Sequence, residues 1–432
     1  MDRIVIAGGK PLRGKVQISG SKNATLPLMA AALLANSPSV IRNVPELRDV
    51  QYMADCLRSL GADVEYGDHM LRIDPRGFSI SEAPYDIVRK MRASIYVMGP
   101  MLARLRRARV SLPGGCAIGS RPIDLHLKGF EELGARINLE HGDVIAEVER
   151  LRGKEFNLSG AAGSSVGATC NVAMAATLAE GTTVIHGPAR EPEVVELLGF
   201  LSRMGARIEI IRGRSLRITG VEGLDGADHT VLSDRIEAGT FMTAAAITRG
   251  DIMIEYACVD HMEAVIGKLR EIGVCLDEMY EGIRVRGDVE EYHPTTIQTW
   301  TYPGFPTDLQ AQFMALLSVV PGQSLIREGI YVDRFLHAAE LIRMGADIRV
   351  LSGSATIQGV DHLGGAPVMA SDLRASAALV VAGLAAEGTT LINRVYHIDR
   401  GYEFMERKLQ QLGADVARIT DNEPDEAAVA SA

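Results

Sequence analysis

A chain of 432 residues, 47% of them apolar and 23% charged, is too long for one ordinary core and reads as a soluble globular protein of two or three domains. Its net charge of −10 gives neither nucleic acid nor an anionic membrane face a reason to bind, so an anionic ligand must meet local clusters of Arg and Lys. The five cysteines, Cys56, Cys116, Cys170, Cys258 and Cys275, are odd in number and lack metal-binding spacing; a reducing compartment and no metal or cofactor are expected.

The start, Met1 to Ile6, has neither the basic stretch nor the apolar core of a signal peptide. The longest apolar run, Leu26 to Ala35, is too short to cross a bilayer and contains Pro27. A cytoplasmic protein is expected. A short strand, Val16 to Ile18, leads through Ser19-Gly20-Ser21-Lys22-Asn23-Ala24 into an apolar helix. Free N–H groups, the helix dipole and the Lys22 charge would suit a phosphate there; a plain cap with a solvated lysine explains the motif as well.

From here on one phrase keeps returning. Leu60-Gly61-Ala62-Asp63-Val64 recurs as Leu133-Gly134-Ala135-Arg136-Ile137, Met204-Gly205-Ala206-Arg207-Ile208, Ile272-Gly273-Val274-Cys275-Leu276, Met344-Gly345-Ala346-Asp347-Ile348 and Leu412-Gly413-Ala414-Asp415-Val416. The glycines are 73, 71, 68, 72 and 68 residues apart, which makes six copies of one unit. Within a unit a helix ends at a small turn (Ala179 to Thr183, Ala386 to Thr390), a β-branched strand follows, and a second helix stops at the repeat glycine. Glycine ends helices there because the next backbone position is often left-handed. Two strands then pair, as in Ala206 to Ile211 and Ser215 to Ile218. Each unit is thus a βαβαββ-like α/β module of about 70 residues whose sheet must share helices with its neighbours. Three modules per domain give two similar domains, divided near Gly226 to Thr230. The tail, residues 421–432, is expected to be disordered.

Three stretches and a set of arginines stand apart from this grammar. Arg92 lies in Lys90-Met91-Arg92-Ala93-Ser94. Ser111 to His126 holds three glycines and two prolines within ten residues, so it is a loop; a cysteine there, Cys116, close to arginines, can be a reactive thiol. The other four cysteines read as inert core. Thr301 to Gln312 is a Pro/Gly loop feeding a helix, with Asp308 at its start as either a cap or a carboxylate base. Arg334, Arg374 and Arg400, with Arg92 and Arg121, sit near helix starts or loops of different repeats, and together suit a small polyanionic ligand.

These residues resemble the UDP-N-acetylglucosamine enolpyruvyl transferases of the EPSP synthase superfamily. The likeness rests on Gly20-x-Lys22-Asn23-Ala24, Met91-Arg92-Ala93-Ser94, Leu112 to Pro122, Ser165-Val166-Gly167-Ala168-Thr169, Arg190-Glu191-Pro192-Glu193, Phe305-Pro306-Thr307-Asp308-x-Gln310, Asp372-Leu373-Arg374-Ala375-Ser376 and Ile398-Asp399-Arg400-Gly401-Tyr402, collinear to about residue 418. It implies an inside-out α/β barrel of two three-repeat domains, residues 21–229 and residues 1–20 with 230–420, with the active site in the cleft between them. It implies transfer of the enolpyruvyl group of phosphoenolpyruvate to the sugar 3-hydroxyl, the first committed step of peptidoglycan synthesis. Lys22 and Arg121 would hold the phosphate, and Arg374 and Arg400, assisted by Arg334, the carboxylate. Cys116 would protonate C3, and Asp308 would take the hydroxyl proton. Asn23, Arg92, Arg121, Pro122, Ile123, Asp124, Leu125, Gly163, Ser164, Ser165, Val166 and Ile330 would contact the nucleotide sugar. Gly163-Ser164, Asp333 and Gly199 depart from the family's usual residues. Rival readings are an idle UDP-sugar-binding paralogue, a shikimate 3-phosphate transferase and a structural repeat protein.

Overall fold

The computed structural model describes residues 2–112 and 123–420. Cys116, Arg121, Pro122 and the tail 421–432 therefore lie outside the described residues.

The repeat becomes six four-stranded sheets. One module runs strand Glu82–Ala83, helix Met98–Leu105 (preceded by the short helical turns Tyr85–Val88 and Arg92–Val97), strand Arg107–Ser111, helix Asp124–Glu132, strands Arg136–Glu140 and Asp143–Glu147, the βαβαββ-like order read from the sequence. The short first strand lies parallel to the second, and the remaining pairs are antiparallel. Ala108 and Val110 are buried while their neighbours Arg107 and Arg109 are not, the period of two expected where one sheet face meets helices and the other meets water.

All six repeat glycines, Gly61, Gly134, Gly205, Gly273, Gly345 and Gly413, have φ between 87° and 110°. Their place after a helix is a backbone requirement, as the sequence suggested. The shorter turns vary. Gly181 and Gly388 are left-handed, but near Gly250 the left-handed residue is Arg249, at φ 52°. Gly250 is small for another reason: a Cβ there would lie 2.4 Å from the Leu12 carbonyl oxygen.

Two compact units form, one from residues 19–112 and 123–232, the other from residues 2–18 and 233–420. In the second unit the helices Arg235–Ile247, Gln310–Leu317 and Leu373–Ala385 pack on one another. They are buried on all sides, which is why they read as apolar all round instead of striped. The first unit is centred likewise on Lys22–Ala31, Met98–Leu105 and Val166–Ala176. Helices inside and sheets outside make each unit an inside-out α/β assembly. Gly99 shows how close the central helices come, since a Cβ there would lie 2.5 Å from the Asn171 carbonyl oxygen.

Two edge strands are exchanged. Four modules pair their short strand with their own next strand. Arg13–Gln17, however, precedes helix Lys22–Ala31 yet pairs with Asp251–Glu255, and Asp228–Thr230 precedes helix Arg235–Ile247 yet pairs with Ser39–Arg42. The division after residue 232 follows from that second pairing. Strand Arg3–Ala7 completes the last sheet, antiparallel to both Thr389–Asn393 and Asp415–Ile419.

Cys56 and Cys170 are buried, and burial raises both thiols, Cys56 to about 12. The expectation of inert core cysteines fails for the other two described ones. Cys258 and Cys275 are half-buried, and Cys275 accepts a hydrogen bond from Arg286 Nη2 at 2.9 Å. Among the described residues, no helix is long and apolar enough to cross a membrane.

Candidate functional site

Asp308 lies in the 3₁₀ turn Thr307–Leu309, which leads into helix Gln310–Leu317. Neither helix start has a side-chain cap, so Asp308 does not serve as one. Its Oδ1 accepts from Arg334 Nη1 at 2.9 Å and its Oδ2 from Arg374 Nη2 at 3.0 Å. The arginine side chains are only 5% and 4% exposed, against 27% for the carboxylate. Burial opposes the charge on Arg374, but the negative charge of Asp308 leads the effects that outweigh it, and its pKa rises. Two fixed, desolvated cations thus hold one partly open carboxylate, an arrangement suited to anions and to proton transfer.

The surrounding chain explains the clamp. Asp372 caps helix Leu373–Ala385 by accepting from the N–H groups of Arg374 and Ala375, at 2.9 and 3.1 Å. Glu328, which the sequence reading missed, holds the loop before Arg334. Its Oε1 accepts from Thr299 Oγ1 at 2.6 Å and from the N–H groups of Ile330 and Tyr331 at 2.9 and 3.0 Å. Its Oε2 accepts from Thr307 Oγ1 at 3.0 Å, tying the Ile330 loop to the neighbour of Asp308. Arg400 closes the 3₁₀ helix Val395–Arg400, half-buried. It follows His397 by one turn of such a helix. Burial first and the Arg400 charge second lower the His397 pKa. Tyr402, also passed over in sequence, meets Arg374 Nη1 at 3.2 Å. The only sequence signal for it was its place at the end of the Arg400 motif.

In the unit of residues 19–232 the predicted residues gather at helix starts. Lys22 and Asn23 open Lys22–Ala31 behind the cap Ser21, whose Oγ accepts from Ala24 N at 3.3 Å. Lys22 is not the solvated lysine that a plain cap would give: its Nζ lies 2.8 Å from Asp49 Oδ2, with side chains 12% and 2% exposed. Asp49, in the first turn of Arg48–Ser59, carried no signal in sequence. Arg92 opens the 3₁₀ helix Arg92–Val97. Gly163, at φ 91°, exchanges two backbone hydrogen bonds with Gly160, at 2.8 and 3.1 Å. Ser164 follows, and Ser165 caps Val166–Ala176. Ile123 precedes helix Asp124–Glu132, and a Cβ on Gly160 would lie 3.5 Å from Leu125 Cδ1. The Ile123 to Leu125 and Gly163 to Val166 segments are therefore neighbours. His126 Nδ1 takes a hydrogen bond from Asn171 Nδ2 at 3.0 Å and holds the start of Asp124–Glu132 against the middle of Val166–Ala176.

Residues 6–409 match the family described as EPSP synthase (3-phosphoshikimate 1-carboxyvinyltransferase). A protein of Desulfatibacillum aliphaticivorans named UDP-N-acetylglucosamine 1-carboxyvinyltransferase is 52% identical over 419 residues, 97% of this chain and 100% of that one. A protein of the same name from Methylacidiphilum infernorum is 52% identical over 421 residues, 97% of this chain and 99% of its own. Among solved structures, the enolpyruvyl transferase NikO from Streptomyces tendae superposes with a TM-score of 0.89 at 25% identity, covering 98% of this chain and 99% of that one. EPSP synthase from Acinetobacter baumannii shares the fold at a TM-score of 0.76 and 18% identity, covering 97% and 100%.

Proposed function

The chain belongs to the EPSP synthase family, and from that premise we propose that it transfers the enolpyruvyl group of phosphoenolpyruvate to the 3-hydroxyl of UDP-N-acetylglucosamine, releasing phosphate. Its half-identical, full-length relatives are named UDP-N-acetylglucosamine 1-carboxyvinyltransferase, which supports the reading; on it, the protein acts in the cytoplasm, in peptidoglycan synthesis. The observation that carries the reading is the Asp308 carboxylate held between two buried guanidinium groups.

The roles are those that the resemblance implies for these residue types. Asp308 takes the proton of the sugar hydroxyl as that oxygen attacks C2 of phosphoenolpyruvate, and the Cys116 thiol supplies a proton to C3. The tetrahedral adduct then expels phosphate and loses a C3 proton, which restores the double bond. A carboxylate bonded on both oxygens to guanidinium is a weak base. An incoming carboxylate or phosphate competes for Arg374 and Arg334, and so leaves Asp308 more basic when the second substrate is in place. Lys22, with Arg121, meets the phosphate; Arg400 supports the carboxylate. Asn23, Arg92, Arg121, Pro122 and the Ile123 to Leu125, Gly163 to Val166 and Ile330 positions meet the nucleotide sugar.

Phosphate release from phosphoenolpyruvate with UDP-N-acetylglucosamine tests this directly, with shikimate 3-phosphate as the competing acceptor. Asp308→Ala should lower kcat by about 10³-fold, the range for loss of a general base. Release with shikimate 3-phosphate alone, or unchanged turnover in Asp308→Ala, would overturn the reading.

A further inference from the structure

The polar centre of the 233–420 unit is one hydroxyl group. Tyr402 is 2% exposed, and its OH lies 2.9 Å from Thr240 Oγ1, 3.1 Å from Gln312 Nε2 and 3.2 Å from Arg374 Nη1. Those three partners come from the three central helices, one each. The direction of the bonds can be worked out. Thr240 spends its proton on the Ile236 carbonyl at 2.8 Å, so Tyr402 donates to Thr240 and accepts from Gln312 and Arg374. With one donor and two acceptor sites the phenol is fully used. Its single proton points into the core, and burial raises its pKa. It is neither an acid nor a base for the reaction.

The same contacts reach the clamp from two sides. Arg374 bonds Tyr402 through Nη1 and Asp308 through Nη2. Gln312 bonds Tyr402 and, at 3.0 Å, the Asp308 carbonyl. Two residues before Tyr402 the chain carries Arg400. We infer that Tyr402 is the positioning residue for phosphoenolpyruvate binding, fixing the plane of the Arg374 guanidinium and anchoring the main chain that bears Arg400. This rests on the function proposed above. Without the hydroxyl, the Arg374 guanidinium keeps its bond to Asp308 but loses its second point of attachment, and a buried donor is left unpaired. The phosphoenolpyruvate carboxylate then meets a cation free to turn.

Tyr402→Phe keeps the ring and removes only the hydroxyl. The expected result is a KM for phosphoenolpyruvate raised about 10-fold, the loss expected for one hydrogen bond to a charged group. The KM for UDP-N-acetylglucosamine should stay within about 2-fold and kcat within about 3-fold. A purely structural role would instead lower the melting temperature or the active fraction and leave both KM values alone; an unchanged KM for phosphoenolpyruvate therefore overturns the inference whatever happens to stability. Should Tyr402→Phe not fold, Thr240→Val removes the acceptor that orients the phenol. A rise of about 3-fold in the same KM supports the inference, and no rise sinks it. An inactive wild type defeats the proposed function; an active wild type beside an indifferent Tyr402→Phe defeats only the role of Tyr402.

Discussion

The central helices of the two units start in different ways. In residues 19–232 the helices Lys22–Ala31 and Val166–Ala176 are capped by Ser21 and Ser165. In residues 233–420, Arg235–Ile247 and Leu373–Ala385 are capped by Asp234 and Asp372. The acidic caps stand next to arginines, Arg235 at the first helical position and Arg374 at the second. A cation in a first turn is opposed by the helix dipole, and an aspartate cap offsets that opposition. The neutral serine caps put no carboxylate at the positive end of the dipole. One repeated fold thus yields two kinds of helix start, one with an acidic cap beside an arginine and the other with a neutral cap.

The strongest blow to that contrast falls on the one ion pair of the serine-capped end described above. Lys22→Met should cost about 3 kcal/mol, because it breaks the buried ion pair with Asp49, and should also raise the KM for phosphoenolpyruvate. Adding Asp49→Leu should restore stability in urea unfolding but not activity. If the double variant recovers both, Lys22 has no ligand role and the serine-capped end works through backbone alone.

Acid should separate the two units next. His337 is fully buried in helix Leu336–Arg343, and burial above all, with the Arg334 charge opposed by Asp372, lowers its pKa from 6.5 to about 4. The folded value lies below the unfolded one, so between pH 6.5 and about 4 the unfolded chain binds the additional proton. Stability is complete above that window and falls as pH drops through it, by about 3 kcal/mol in all. The chain's one tryptophan, Trp300, lies in the aspartate-capped unit and reports on it alone. Its fluorescence should show acid-sensitive unfolding that His337→Gln flattens; equal sensitivity in that variant would place the acid response elsewhere.

The smallest effect compares the caps themselves. Ser165→Ala should cost about 1 kcal/mol, the ordinary worth of a cap. Asp372→Ser keeps a cap, so its stability cost should be smaller, while the KM for phosphoenolpyruvate rises as the helix end that carries Arg374 loses the carboxylate that offsets its dipole. If Asp372→Ser leaves that KM unchanged, the acidic caps are interchangeable with serine and the comparison fails.

What could be read from the sequence was whatever repeats or punctuates. The Leu60-Gly61-Ala62 phrase and its five echoes gave the module and its left-handed glycines, because a helix end with positive φ leaves few choices of residue. The arginines and Asp308 were visible as a set but their pairing was not: Arg374 and Asp308 are 66 residues apart, and nothing local records that they meet. The exchanged strands were invisible for a similar reason, since a three-residue strand such as Asp228–Thr230 is too short to carry a period and its partner lies 188 residues away. Tyr402, Gln312 and Thr240 sit in apolar helical or mixed surroundings where a polar residue looks like an exception. Only their meeting around one hydroxyl shows that they are a group.

Strand Arg3–Ala7, held between Thr389–Asn393 and Asp415–Ile419, sets an order on biosynthesis. Arg3–Ala7 cannot close its sheet until Asp415–Ile419 has been made, whereas Asp228–Thr230 finds its partner Ser39–Arg42 already made. The growing polypeptide therefore carries Arg3–Ala7 unmatched until residues 389–419 have followed, and removing either Arg3–Ala7 or Asp415–Ile419 would open the same seam.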